Sequence, residues 1–79
     1  MKFLDGVASI HRMHRIEQEL LVIDALDELN RPATLDHLAE LVGLPKTTVR
    51  YPVRRLEEAE VVVRTKRSHQ TFFALVEFQ

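Results

Sequence analysis

Apolar positions recur every three or four residues from about Ser9 to Leu29 in "SIHRMHRIEQELLVIDALDEL", the period of one long amphipathic helix. Val22, Ala25, Leu26 and Leu29 fall on one side of that helix. Met13, Ile16, Leu20 and Ile23 form a second stripe roughly opposite. The run "NRPAT" then interrupts the pattern, with Asn30 as the helix end and Pro32 as a breaker. A short second helix is predicted from Leu35, with Thr34 as its N-cap and Asp36 placed against the positive end of the helix dipole. It ends at Gly43, the residue best able to adopt a left-handed cap. Pro45 suits the first turn of a third helix, where its missing N–H bonds to nothing in any case.

That third helix, "KTTVRYPVRRLEEAE", places Val49, Val53 and Leu56 on one face and Thr47, Arg50, Tyr51 and Arg54 on the other. Pro52 interrupts it on the core flank. A proline there cannot donate to the carbonyl of Thr48 and biases Tyr51 away from helical geometry, so a bend or break between Thr48 and Pro52 is expected. After Ala59 the period changes from helical to two-residue. "VVVRTKR" at 61–67 and "TFFALVEF" at 71–78 read as an antiparallel hairpin around the turn "SHQ". Phe72, Ala74, Val76 and Phe78 alternate onto one face of its second strand. The fold class is therefore α+β, mainly α: three helices and a hairpin in one domain over residues 1–79.

In the 35–54 window Ala39, Gly43 and Val49 stand at the spacing of a helix-turn-helix. A small residue at Ala39 lets the second and third helices approach, and Gly43 supplies a positive φ in the turn. Val49 pins the third helix among Leu38, Val42 and Leu44. The hairpin that follows makes this the winged variety. The words "TLDHLAELVGLPKTTVR" and "VRRLEEAEVVVR" resemble the DNA-binding domain of the IclR-type transcription regulators and their MarR-like winged-helix relatives. The resemblance covers residues from about 20 to 78. Such families usually carry a glycine where Glu60 stands and an aliphatic residue where Pro52 stands. They also carry an effector-binding domain that these residues do not encode, so control by concentration or by a regulatory protein partner is expected.

The resemblance implies a small, sequence-specific regulator of transcription whose partner is double-stranded DNA. The third helix would enter the major groove with Thr47, Arg50, Tyr51 and Arg54 outward and Arg55 at the margin. Arginine offers a bidentate fork to guanine, and threonine can meet a thymine methyl or a phosphate. Lys46 and Thr48 sit near the helix N-terminus, where phosphates bind readily. Arg64, Lys66, Arg67 and His69 line the wing and would rest on the DNA backbone. A homodimer is expected, with Met13, Ile16, Leu20 and Ile23 as its seam, in keeping with recognition of two half-sites.

Charge first argues against nucleic acid and then for it. The net charge is −1, but the chain is polar along its length. From Glu17 to Leu44 seven acids face Arg31 alone; from Pro45 to Gln70 seven bases face Glu57, Glu58 and Glu60. Such asymmetry gives one basic face. The same acids leave a second reading open, a winged helix used as a protein-interaction module in a larger assembly.

Other chemistries find little support. The chain has no cysteine, which removes disulfides and thiolate metal sites. His11, His14 and Glu17 are spaced three apart on the first helix, but no fourth ligand is apparent, so no metal and no cofactor is expected. Two glycines make no phosphate-cradling loop, and Ser68 beside His69 is not a positioned nucleophile and base; the chain does not read as an enzyme. "LLVI" at 20–23 is far too short to span a bilayer, and Asp5 and Gly6 interrupt "MKFL" before a signal segment forms. A cytoplasmic protein is expected.

Overall fold

The computed structural model describes the backbone of residues 2–76 and the side chains of residues 15–76. Three helices precede one hairpin: α1 (Lys2–Leu29), α2 (Leu35–Val42), α3 (Lys46–Glu58), β1 (Val62–Arg67) and β2 (Gln70–Leu75). The helix α1 starts ahead of the expected Ser9, because nothing between Lys2 and Ala8 stops a helix; the glycine at position 6 costs it only about 1 kcal/mol.

Each helix ends on a residue with positive φ: Asn30 at 57°, Gly43 at 74° and Glu60 at 61°. At α2 the N–H groups of Gly43 and Leu44 both donate to the carbonyl of Ala39, at 2.9 and 3.1 Å. At α3 the N–H of Val61 donates to Leu56 at 2.8 Å and that of Glu60 to Glu57 at 3.0 Å, the paired bonds of a Schellman ending. The helix starts are as local. Thr34 Oγ1 accepts from the His37 N–H at 3.1 Å, as its N-cap role requires. Pro45 stands one place earlier than expected, as the N-cap of α3, and its carbonyl accepts from Thr48 and Val49.

The expected break at Pro52 does not occur. The helix α3 runs unbroken from Lys46 to Glu58 with the proline inside it. The Pro52 ring is fully buried beside Val49, Val53 and Leu56. Tertiary packing of an apolar face stabilises a helix more than one main-chain bond does, and only the bond to Thr48 is forfeited.

One core unites the elements: Val22 and Leu26 of α1, Leu38 of α2, Val49, Val53 and Leu56 of α3, and Val62, Phe73 and Leu75 of the hairpin. Ala33 completes it from the α1–α2 connection. Its N–H and carbonyl exchange bonds with Phe73 at 2.9 and 2.7 Å, adding a one-residue third strand beside β2. The hairpin register pairs Val62 with Leu75, Arg64 with Phe73 and Arg67 with Gln70. Ser68 and His69 alone make the turn, with φ of 44° and 73°. This is the twist-matched two-residue turn that usually selects Asn-Gly.

The register also decides which face of β2 is inward. Its buried residues are Phe73 and Leu75, whereas Phe72 and Ala74 are half-buried on the other face and Val76 is exposed. Both alternating sets of "TFFALV" are apolar, so period alone could not choose; the bridge to Ala33 and the pairing with Val62 do. Phe78 lies outside the described residues.

Part of the second stripe of α1 faces outward. Ile16 is 60% and Leu20 53% exposed, with Leu21 exposed beside them. Ile23, expected in the seam, is instead half-buried against the chain's own core, next to Val22 and three residues from Leu26. The side chain of Met13 lies outside the described residues, as do those of His11 and His14.

Candidate nucleic-acid interface

Gly43 and Pro45 close a short turn that sets α3 across α2. A side chain at Gly43 would meet no atom within 4 Å, so the glycine is there for its φ and not for space. Val49 at 0% exposure anchors the helix inward. Its opposite side then necessarily presents Thr47, Arg50, Tyr51 and Arg54, and all four are exposed. These are the positions at i, i+3, i+4 and i+7 of one helical face.

Two of the four are braced together. Arg50 Nη2 donates to the Tyr51 hydroxyl at 3.2 Å, and the guanidinium carbon stands 5.0 Å from the ring centroid. That hydrogen bond, and the positive charge behind it, hold the Tyr51 phenol below its ordinary pKa range, with Arg54 adding in the same direction. Burial opposes the shift but is outweighed. One of the five Arg50 donors is used in this brace, which leaves a fork for a base edge.

The remaining predicted bases divide into two sets. Among the described residues Arg50, Arg54, Lys66 and Arg67 have no carboxylate within ion-pair distance. Lys46, Arg55 and Arg64 do. Lys46 meets Asp36 at 3.2 Å with both side chains well exposed, a weak pair that a phosphate can displace. Arg64 grips Glu57 through two bonds of 2.9 and 3.1 Å and lies 5.7 Å from the centroid of Phe73. It faces the core side of the hairpin and ties the wing base to α3. Arg55 is half-buried and turned back to Glu19 of α1, its Nε 2.5 Å from Oε2. Both arginines were expected on the DNA; in the structure each pairs with a carboxylate of the chain itself. His69 sits in the wing turn and Thr48 is half-buried near the helix start.

Neither the Glu19 nor the Glu57 pairing was read from the sequence. Glu19 stands 36 residues from Arg55, and no local spacing signals such a pair. Among the described residues no three His, Asp or Glu converge as metal ligands, and no helix is long and apolar enough to cross a membrane.

Known structures share this architecture. The Zα domain of Carassius auratus PKZ, solved in complex with Z-DNA, superposes with a TM-score of 0.69 at 22% identity, over 78% of this chain and 97% of that one. A homodimeric winged helix-turn-helix DNA-binding domain from Mycobacterium bovis gives 0.69 at 17% identity, over 95% of this chain and 68% of that one. The transcriptional regulator SlyA gives 0.64 at 18%, over 99% of this chain and 65% of its own length. At such identities the likeness establishes the winged-helix fold. No curated sequence is similar enough to count as a relative. Residues 19–66, from the middle of α1 to the wing, match the model of the IclR helix-turn-helix domain. The chain belongs to the IclR helix-turn-helix domain family and is a DNA-binding domain of the transcription-regulator class.

Proposed function

We propose that this chain reads a specific sequence of double-stranded DNA as a homodimer in the cytoplasm, acting as a binding protein and not as an enzyme. Thr47, Arg50, Tyr51 and Arg54 contact base edges in the major groove, and Lys66, Arg67 and His69 of the wing rest on the backbone, with Lys46 and Thr48 on phosphates at the start of α3. The observation that carries this reading is the outward face of α3. Among the described residues its two arginines have no carboxylate partner, one of them is braced on Tyr51, and the helix's other face is locked into the core. Base contacts specify and phosphate contacts position, and the two sets lie on different elements here.

The second copy docks on the exposed Ile16 and Leu20 of α1. A structural neighbour of the same fold is homodimeric, which supports a homodimer here. Control through a protein partner or through the concentration of the chain itself belongs to the same proposal.

The test is selection on random duplexes across a salt series, with a left-handed duplex as competitor because one neighbour was solved on Z-DNA. A recovered pair of related half-sites, and affinity falling steeply with salt, is the expected result. Arg50→Ala should then relax preference at one base position at a cost of about 1–3 kcal/mol, while Arg67→Ala should weaken all duplexes alike. Recovery of unrelated sequences would refute specific reading.

A further inference from the structure

We infer that Glu19 is a positioning residue for base reading, acting through Arg55 to set the rotation of α3 about its own axis. This rests on the proposed role of α3 as the reading helix. The two side chains meet across the α1–α3 packing at 2.5 Å, each about a third exposed (33% for Arg55 and 30% for Glu19). Arg55 stands between Arg54, which is outward, and Leu56, which is buried, so it marks one flank of the core stripe of α3. Glu57 marks the other flank, and it is held by Arg64 of β1 through two hydrogen bonds. The helix is thus strutted on both sides, to α1 by one ion pair and to the wing by another.

The core contacts between the struts fix which face of α3 is inward, but not its last few degrees of rotation. Val49, Val53 and Leu56 lie in one apolar cluster with Val22 and Leu26, and burial by itself is non-directional. A guanidinium is a rigid planar donor whose bonds are directional. Arrangement of base-reading side chains is sensitive to this. A roll of about 10° moves a side-chain tip ~6 Å from the helix axis by about 1 Å. Productive recognition geometry must be held within about 0.5 Å. Wing contacts to phosphate, made by Lys66 and Arg67 on another element, tolerate that movement. Loss of the α1 strut therefore degrades preference and spares the non-specific component.

The pair also gives Arg55 a role other than phosphate contact. A third-exposed ion pair contributes little to stability, and apolar residues would fill the same place as well or better. An arginine in that place, on the margin of a DNA-facing helix, would add a phosphate contact if it were released. Glu19 withdraws it and converts it into a strut.

The experiment compares the unaltered chain with Glu19→Ala, Glu19→Gln and the exchanged pair Glu19→Arg with Arg55→Glu. Each is measured on the selected duplex and on a scrambled one over a salt series, with thermal unfolding to fix the folded fraction. The expected result for Glu19→Ala is a selected-to-scrambled affinity ratio narrowed about three- to tenfold, inside the roughly two- to thirtyfold range for residues that couple sites without touching ligand. Scrambled binding and the salt slope should be unchanged. Glu19→Gln keeps an acceptor and should narrow the ratio less; the exchanged pair should recover it. A Glu19→Ala chain that binds both duplexes more tightly, with a salt slope steeper by about one, would overturn the inference, because Arg55 would then be a masked phosphate ligand. An unchanged ratio in folded Glu19→Ala or Glu19→Gln would overturn it as well, leaving the pair merely structural. An unaltered chain with no preference between duplexes would instead refute the proposed function, and this inference with it.

Discussion

Replacing Glu60 with glycine should stabilise this domain, although no side-chain contact is gained. Glu60 holds φ at 61°, where it donates its N–H to Glu57 and lets Val61 reach back to Leu56. That left-handed conformation costs an L-residue about 1–2 kcal/mol. Glycine removes the cost but gives back about 0.4–1 kcal/mol through its greater freedom in the unfolded chain. Removing a carboxylate from the negative end of α3, beyond Glu57 and Glu58, relieves roughly 0.3 kcal/mol more. The net is a gain of about 1 kcal/mol, or about 4–8 °C in melting temperature for a domain of this size. Thermal unfolding by circular dichroism reads this directly. Glu60→Ala is the control: it relieves the charge and keeps the strain, so it should gain only about 0.3 kcal/mol. If the glycine and alanine variants melt together, backbone strain at this position is not what limits stability, and the argument fails.

Pro52→Ala should restore the bond to the Thr48 carbonyl and lift the ring's steric penalty, together about 3 kcal/mol in an ideal helix interior, while deleting two buried methylenes at about 0.8 kcal/mol each. A net gain near 1 kcal/mol by urea unfolding is expected; a loss of that size would show that ring packing dominates. Leu20→Glu should give a folded monomer by sedimentation, since the side chain is largely exposed within one chain; a dimer of unchanged affinity would remove α1 from the seam. Tyr51 is the chain's single tyrosine and there is no tryptophan, so its ionisation is directly visible by ultraviolet absorbance. It should titrate below the ordinary phenol range, and Arg50→Ala should move it back up. In the window between the folded and unfolded pKa values the folded chain has already lost the proton, so this group makes stability rise with pH there. A Tyr51 titration indifferent to Arg50 would contradict the brace.

What the chain determined by itself is whatever depends on neighbours a few residues away. Thr34 capping α2, Gly43 and Asn30 taking positive φ, and the change of period after Ala59 are all set within one turn or one hairpin. Even the departure at Glu60 was visible, because a helix ending calls for a left-handed residue whatever occupies it. The outward face of α3 was legible for the same reason: once Val49, Val53 and Leu56 are inside, a 3.6-residue period leaves Thr47, Arg50, Tyr51 and Arg54 outside.

Tertiary structure decided every question in which local rules tied or pointed the wrong way. Both faces of β2 are apolar, and the bonds between Ala33 and Phe73 chose the inward one. Pro52 should end a helix in isolation, and burial of its ring overrode that preference. Ile23 went to the core and left Ile16 and Leu20 outside, a division no helical wheel makes sharply. Arg55 and Arg64 look, in sequence, like any other bases beside a reading helix. Only packing brought Glu19 from 36 residues away to Arg55 and turned Arg64 at the wing base toward Glu57. Hydrophobic period is a property of the chain, whereas the partner of a long, flexible charged side chain is a property of the assembled surface.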